Sequence, residues 1–162
     1  MSSLNFLSNI EFQMSITRLP ELKFYIQSAT IPGISSGVTL QPSPFRNIPR
    51  HGDTLEYGDF SVRAIVDENL DVYKETWNWL RDLTYPENFD QFKNVSESFD
   101  GLYSDASLII MDSNKNSNLS VKLYDMFPTS ISPLELNTTL PSNQPSTVDI
   151  TYRYDRYEIV KL

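Results

Sequence analysis

Between residues 59 and 67 the chain alternates. Phe60, Val62, Ala64 and Val66 interleave with Asp59, Ser61, Arg63 and Ile65. A period of two places one apolar face of a strand against a core. The pattern then breaks at Asp67-Glu68-Asn69 and resumes with a different period. At about 100° per residue, Leu70, Val72, Tyr73, Thr76, Trp77, Trp79, Leu80 and Leu83 share one half of the circle. Asp71, Lys74, Glu75, Asn78, Arg81 and Asp82 share the other. This division predicts an amphipathic helix over about residues 69–83, capped by Asp67 or Asn69 and covering an apolar sheet face. Both tryptophans, Trp77 and Trp79, fall on its predicted core side.

Further strands follow from the same period. Ile10, Phe12, Met14 and Ile16 alternate with polar residues, and Phe24–Ala29 is extended in character. With a turn at Arg18–Glu21, these two segments predict an N-terminal hairpin. Residues 35–53 hold Pro42, Pro44, Pro49 and Gly52 and read as a long connection, with a short extended piece at Val38 and Leu40. A connection of that length is either a contact arm or a surface loop. Residues 85–101 form a second long loop, in which Phe89, Phe92 and Phe99 pack on the core or serve a partner surface. Tyr103–Met111 and Leu119–Tyr124 flank a polar turn and predict a hairpin. Asp125–Pro133 reads as a structured connection, Leu134–Asn137 as a short extended piece. Val148, Ile150, Tyr152 and Tyr154 alternate with polar residues, and the phase changes near Asp155-Arg156, which predicts a bulge. Roughly seven strands and one helix make the class mainly β. The architecture expected is an antiparallel β-sandwich or barrel with one flanking helix, in a single domain over residues 1–162.

Composition narrows the function. The chain has 162 residues, 40% of them hydrophobic and 12% aromatic, which is globular rather than disordered. It has no cysteine, so disulfides and cysteine-based metal sites are excluded. Met1–Leu7 lacks the basic and apolar regions of a secretory signal, and there is no run of about 18 apolar residues to span a membrane. The net charge of −8 disfavours general nucleic-acid binding but suits a surface past which a nucleic acid must slide. His51 is the only histidine, and no serine lies in a nucleophile elbow. The neighbouring carboxylates Glu56/Asp59 and Asp67/Glu68 sit at predicted element ends, where capping and solvation account for them. No glycine-rich phosphate loop or calcium loop is present. The expectation is a protein that is not an enzyme and holds no cofactor or metal.

The order of pieces is informative where motifs are not. A segment ending in Ser28-Ala29-Thr30-Ile31-Pro32-Gly33-Ile34 precedes a long arm. The strand Gly58–Asp67 leads into a helix with Trp77, then a hairpin, then Phe127-Pro128-Thr129 with Ser132-Pro133-Leu134-Glu135-Leu136, and the chain closes on Val148–Asp155. This resembles the tail tube proteins of contractile-tailed, T-even-type bacteriophages, to which the type VI secretion tube protein is more distantly related. The resemblance implies hexameric rings stacked into a hollow conduit for genome delivery. It implies a location in the virion tail, after assembly in the host cytoplasm. The implied partners are other copies of the chain, the sheath, and the baseplate initiator and tube terminator. Tape measure protein and DNA would pass through the lumen without specific binding. It further implies contacts between subunits or rings through the arm, for which Ser36, Val38, Leu40, Pro42, Phe45, Arg46 and Arg50 are candidates. Glu11, Glu56, Asp59 and Asp149 lie on polar strand faces and are candidate lumen-facing acids, although those faces equally suit the outside. A baseplate tube initiator or tail terminator of the same fold is an alternative. A different class, a β-barrel binding a small apolar ligand beside Trp77, is the other.

Overall fold

The fold is described from a computed structural model for residues 11–84, 93, 101–137, 139 and 145–162. The expected lead-in before residue 11, the 85–101 loop apart from residues 93 and 101, and most of the polar 138–146 stretch lie outside the described residues. Nine strands and one long helix are described. They are β1 (Phe12–Ile16), β2 (Ile26–Thr30), β3 (Ile34–Gln41), β4 (Ile48–Tyr57), β5 (Phe60–Ile65), α1 (Asp71–Thr84), β6 (Ser104–Met111), β7 (Ser117–Ile131), β8 (Thr147–Arg153) and β9 (Arg156–Lys161). A short 3-10 helix covers Pro20–Phe24.

All strand pairs are antiparallel, in the order β1-β6-β7-β8-β5-β2, with β9 also on β7 and β3 paired only with β4. The ends of the path, β1 and β2, do not pair, so no barrel closes and the fold is sandwich-like. The expected N-terminal hairpin is therefore absent. β1 joins β6 and β2 joins β5, because the 3-10 helix intervenes and carries the chain from one sheet edge to the other. Phe24, assigned to the second strand from its pattern, lies in that helix and is exposed.

The core is built as the alternation requires. Phe60, Val62 and Ala64 of β5, Val148, Ile150 and Tyr152 of β8, and Leu108, Val121 and Leu123 of the β6–β7 hairpin are all buried. The segment from Asp125 to Ile131, expected as a connection, belongs to β7, a strand of 15 residues. The phase change near Asp155 is a corner. Both β7 and β8/β9 shift face at the same level, since Leu123 and Met126 both point inward, as do Tyr154 and Tyr157. The register is consequently the same on either side, Phe127 facing Arg153 and Tyr124 facing Arg156. Asp125 adopts a φ of 52° at this corner, a region aspartate tolerates better than most residues.

The α1 helix starts where the pattern places it. Asp67 Oδ1 accepts the Asp71 N–H at 2.9 Å and its Oδ2 accepts the Asn69 N–H at 3.2 Å. Val72, Thr76 and Trp79 face the core. The Trp79 ring lies 6.4 Å from that of Tyr152 and donates its N–H to the Leu102 carbonyl at 3.2 Å. Trp77, expected on the same face, is 45% exposed, with the Arg81 guanidinium over its ring at 4.7 Å. The fully buried stripe is residues 72, 76 and 79, with Tyr73 and Leu83 packed partly buried against the core beside it, and Trp77 falls outside it.

Candidate assembly surface

The 35–53 segment is not a loop with a short extended piece. It is most of a β-hairpin, the arm, formed by β3 and β4 and paired from Ile34–Tyr57 to Gln41–Ile48. Antiparallel partners share a face, so Ile34, Ser36, Val38 and Leu40 of β3 lie beside Tyr57, Leu55, His51 and Pro49 of β4, respectively. The opposite face carries Ser35, Thr39, Arg50 and Glu56. The hairpin is amphipathic, yet its apolar face meets no core: Val38 is 67% exposed, Leu40 58% and Leu55 56%. At the tip, Phe45 is 98% exposed.

The root of the arm is held by three tyrosines that the sequence reading missed. The rings of Tyr57, Tyr154 and Tyr157 stand edge-on to one another at 5.7 to 6.0 Å. The Tyr154 hydroxyl donates to the Gly58 carbonyl at 2.9 Å and the Tyr157 hydroxyl to the Pro32 carbonyl at 3.2 Å, one on each side of the root. The Gly58 N–H closes the root on the Gly33 carbonyl at 2.9 Å. Burial, then the neighbouring Tyr157 and Tyr57, push the Tyr154 phenol up to about 12. The close spacing of Tyr152, Tyr154 and Tyr157 was the available signal. Three strand tyrosines in succession exceed what one core face needs.

The candidate residues fall into separate groups. Ser36, Val38, Leu40, Pro42, Phe45, Arg46 and Arg50 all lie on the arm, and Arg50 donates to the Gln41 side chain at 3.1 Å. The four acids are not brought together. Glu11 immediately precedes β1, and its carbonyl accepts the Met111 N–H at 3.0 Å. Glu56 faces Ser35 on the arm. Asp59, just before β5, and Asp149 of β8 are each paired with an arginine: Arg153 binds Asp59, and Arg63 binds Asp149 at 2.7 and 3.0 Å through two N–H groups. The Arg63 hydrogen bonds hold the Asp149 carboxyl below its ordinary range. With Ser61 opposite Thr151 between these pairs, this face is a charge-balanced ladder. His51 sits opposite Val38 on the arm. Among the described residues no group of three or more His, Cys, Asp and Glu gathers as a metal site.

Among the described residues β3 and β4 pair only with each other, and in the larger sheet the outer edges of β1, β2 and β9 are unpaired. Ile159 and Leu162, at the end of the chain, are exposed beside the last of them. Open edges of this kind form hydrogen bonds with further strands unless something blocks them. The described residues thus offer an amphipathic arm and open strand edges.

The chain is 27% identical over 139 residues to the tail tube terminator protein of Enterobacteria phage T4, covering 83% of this chain and 76% of the relative. Its fold is similar to the tube terminating cap of the anti-feeding prophage, with a TM-score of 0.71 at 14% identity over 100% of this chain and 95% of that one. It is also similar to a chain of the sheath-tube complex of the PVC extracellular contractile injection system, with a TM-score of 0.64 at 14% identity over 99% of this chain and 95% of that one. The family model described as phage tail tube protein matches residues 3–160, and the chain belongs to that family.

Proposed function

We propose that the chain is a structural subunit of a contractile phage tail, forming hexameric rings that stack into the hollow tube through which the genome leaves the virion. The observation that carries this reading is the arm, whose apolar face and tip are exposed and meet no core among the described residues. An exposed apolar surface of this kind marks a protein–protein contact. The open edges of β1, β2 and β9 supply the sites at which neighbouring subunits extend the sheet. A sheath protein outside the tube, and initiator and terminator rings at its ends, are the partners that follow.

A second position along the same tube is favoured by a specific observation. The T4 relative is a tube terminator, and the anti-feeding prophage chain is a terminating cap. In this reading the protein forms one closing ring and does not polymerise.

Negative-stain electron microscopy of the purified chain across a range of concentrations separates the two. Stacked tubes support the repeating subunit, and isolated rings support the terminator. Particles that stay monomeric at every concentration and in the presence of tube ends overturn both. A variant lacking residues 38–51, which joins Gly37 directly to Gly52, is expected to keep its thermal transition and lose stacking.

A further inference from the structure

The arm tip and one pocket on the body are chemically complementary. The distal part of the arm, residues 38–51, carries Arg46 and Arg50 and no carboxylate, in a chain whose net charge is −8. Phe45 and Arg46 are adjacent at the tip, and Phe45 is 98% exposed, so it fills no pocket among the described residues of its own chain. Among the described residues Arg46 has no ion-pair or hydrogen-bond partner.

At the corner where β7 and β8/β9 change face lies an open cavity of about 490 Å³, lined by Tyr103, Asp125, Phe127, Tyr154 and Asp155. Tyr103 and Phe127 make a tilted pair with ring centroids 5.5 Å apart. Two carboxylates stand beside them. The Asp125 side chain has no partner among the described residues, its backbone N–H being taken by Asp105 at 3.2 Å. Asp155 has only Arg156, at the 4.0 Å limit, and that arginine is also engaged by Glu158 and the Tyr124 ring. Aromatic faces and carboxylates in one cavity bind a guanidinium through its charge and its plane, and accept a further ring beside it.

We propose that this corner pocket receives the arm tip of a second copy, with Phe45 against the Tyr103–Phe127 pair and Arg46 between Asp125 and Asp155. The inference rests on the ring reading above and names the contact that reading leaves open. Tip and pocket are different surfaces of the same chain, so each copy both gives and receives. Such a head-to-tail contact propagates into a closed ring or a stack. It also explains why an acidic protein keeps two arginines at the end of its most exposed segment: the tip is attracted to the body of its neighbour before the apolar face docks.

The absence of natural cysteine makes the contact directly testable. Full-length Arg46→Cys chains are mixed with Asp155→Cys chains under mild oxidation, with Glu68→Cys chains as the control acceptor. Mixed disulfide dimers are expected to form about tenfold faster with Asp155→Cys, because docking raises the local thiol concentration. Arg46→Glu is expected to abolish ring or tube formation and Arg46→Glu with Asp155→Arg to restore it. Equal cross-linking at both acceptors overturns the contact, whatever the wild-type chain assembles into. Preferential cross-linking by chains that never form rings keeps the contact and removes the ring reading. No preference and no rings removes both.

Discussion

Gly37 and Gly52 face each other across the arm so closely that a Cβ on Gly52 would lie 2.4 Å from the Gly37 carbonyl oxygen. The register slips here, Ser36 pairing with Leu55 and Val38 with His51, so that Gly52, Asp53 and Thr54 are spread against a single glycine. A wide irregularity of this kind bends a hairpin. Gly52→Ala would push backbone against backbone, since the clash is not with the flexible end of a side chain. Amide hydrogen exchange is expected to quicken about tenfold or more along residues 38–51. Exchange in β5 and β8 should be unchanged, because among the described residues these strands pair with β2, β7 and each other and not with the arm. Unaltered protection of the distal arm would show that the strands tolerate the methyl.

The two tryptophans of α1 are expected to differ sharply. Trp79 is 2% exposed and touches Tyr152 and Leu102, so Trp79→Ala should cost about 3–5 kcal/mol. Trp77 stacks only on Arg81 at the surface, and Trp77→Ala should cost about 1 kcal/mol or less. Urea unfolding of the two variants checks the order, and equal losses would contradict the packing described.

Tyr152 carries the one buried side-chain polar atom without a hydrogen bond among the described residues. The nearby Thr76 hydroxyl is already donated to the Val72 carbonyl at 2.9 Å. Burial alone raises the Tyr152 phenol far above its ordinary range, and Thr76 opposes this only in part. Tyr152→Phe removes a desolvated hydroxyl and is expected to leave stability unchanged or raise it by about 1 kcal/mol. A loss of stability beyond that range would mean that the hydroxyl has a partner.

The tyrosines at the arm root predict an alkaline limit. The folded Tyr154 phenol titrates at about 12, above its ordinary value. A group whose pKa is raised by folding favours the folded state fully below the unfolded value, near 10 for tyrosine. That contribution fades as the pH rises from there through about 12. Wild-type urea midpoints measured from pH 8 to 12 should therefore fall more steeply than those of Tyr154→Phe. Parallel curves would remove Tyr154 as the cause.

Much of this molecule is written in local periodicity. β5, β6, β8 and α1 were each visible because one face of each meets the core, and burial enforces the spacing of Phe60, Val62 and Ala64 or of Val148, Ile150 and Tyr152. Pairing was not visible in the same way. A period of two states which face a strand buries and says nothing about its neighbour, so β1 and β2 read as a hairpin when each joins a different edge. The arm was obscured because its apolar positions Val38, Leu40 and Leu55 are exposed and answer to no core among the described residues, and Pro42, Pro44 and Pro49 mimic a loop. The acids at positions 59 and 149 looked free for the opposite reason. Their partners Arg153 and Arg63 lie on strands brought alongside only by the fold.

The long strand β7 has a mechanical consequence. It pairs with β6 and β9 along its first half and with β8 along its second, so one uninterrupted backbone runs through both halves of the sandwich. A load that would slide the halves apart is therefore borne by covalent bonds along β7 as well as by the hydrogen bonds beside it. Corners built from two separate strands would tear at their weakest ladder; this one transmits tension. A chain so made resists shear between the two halves that β7 joins.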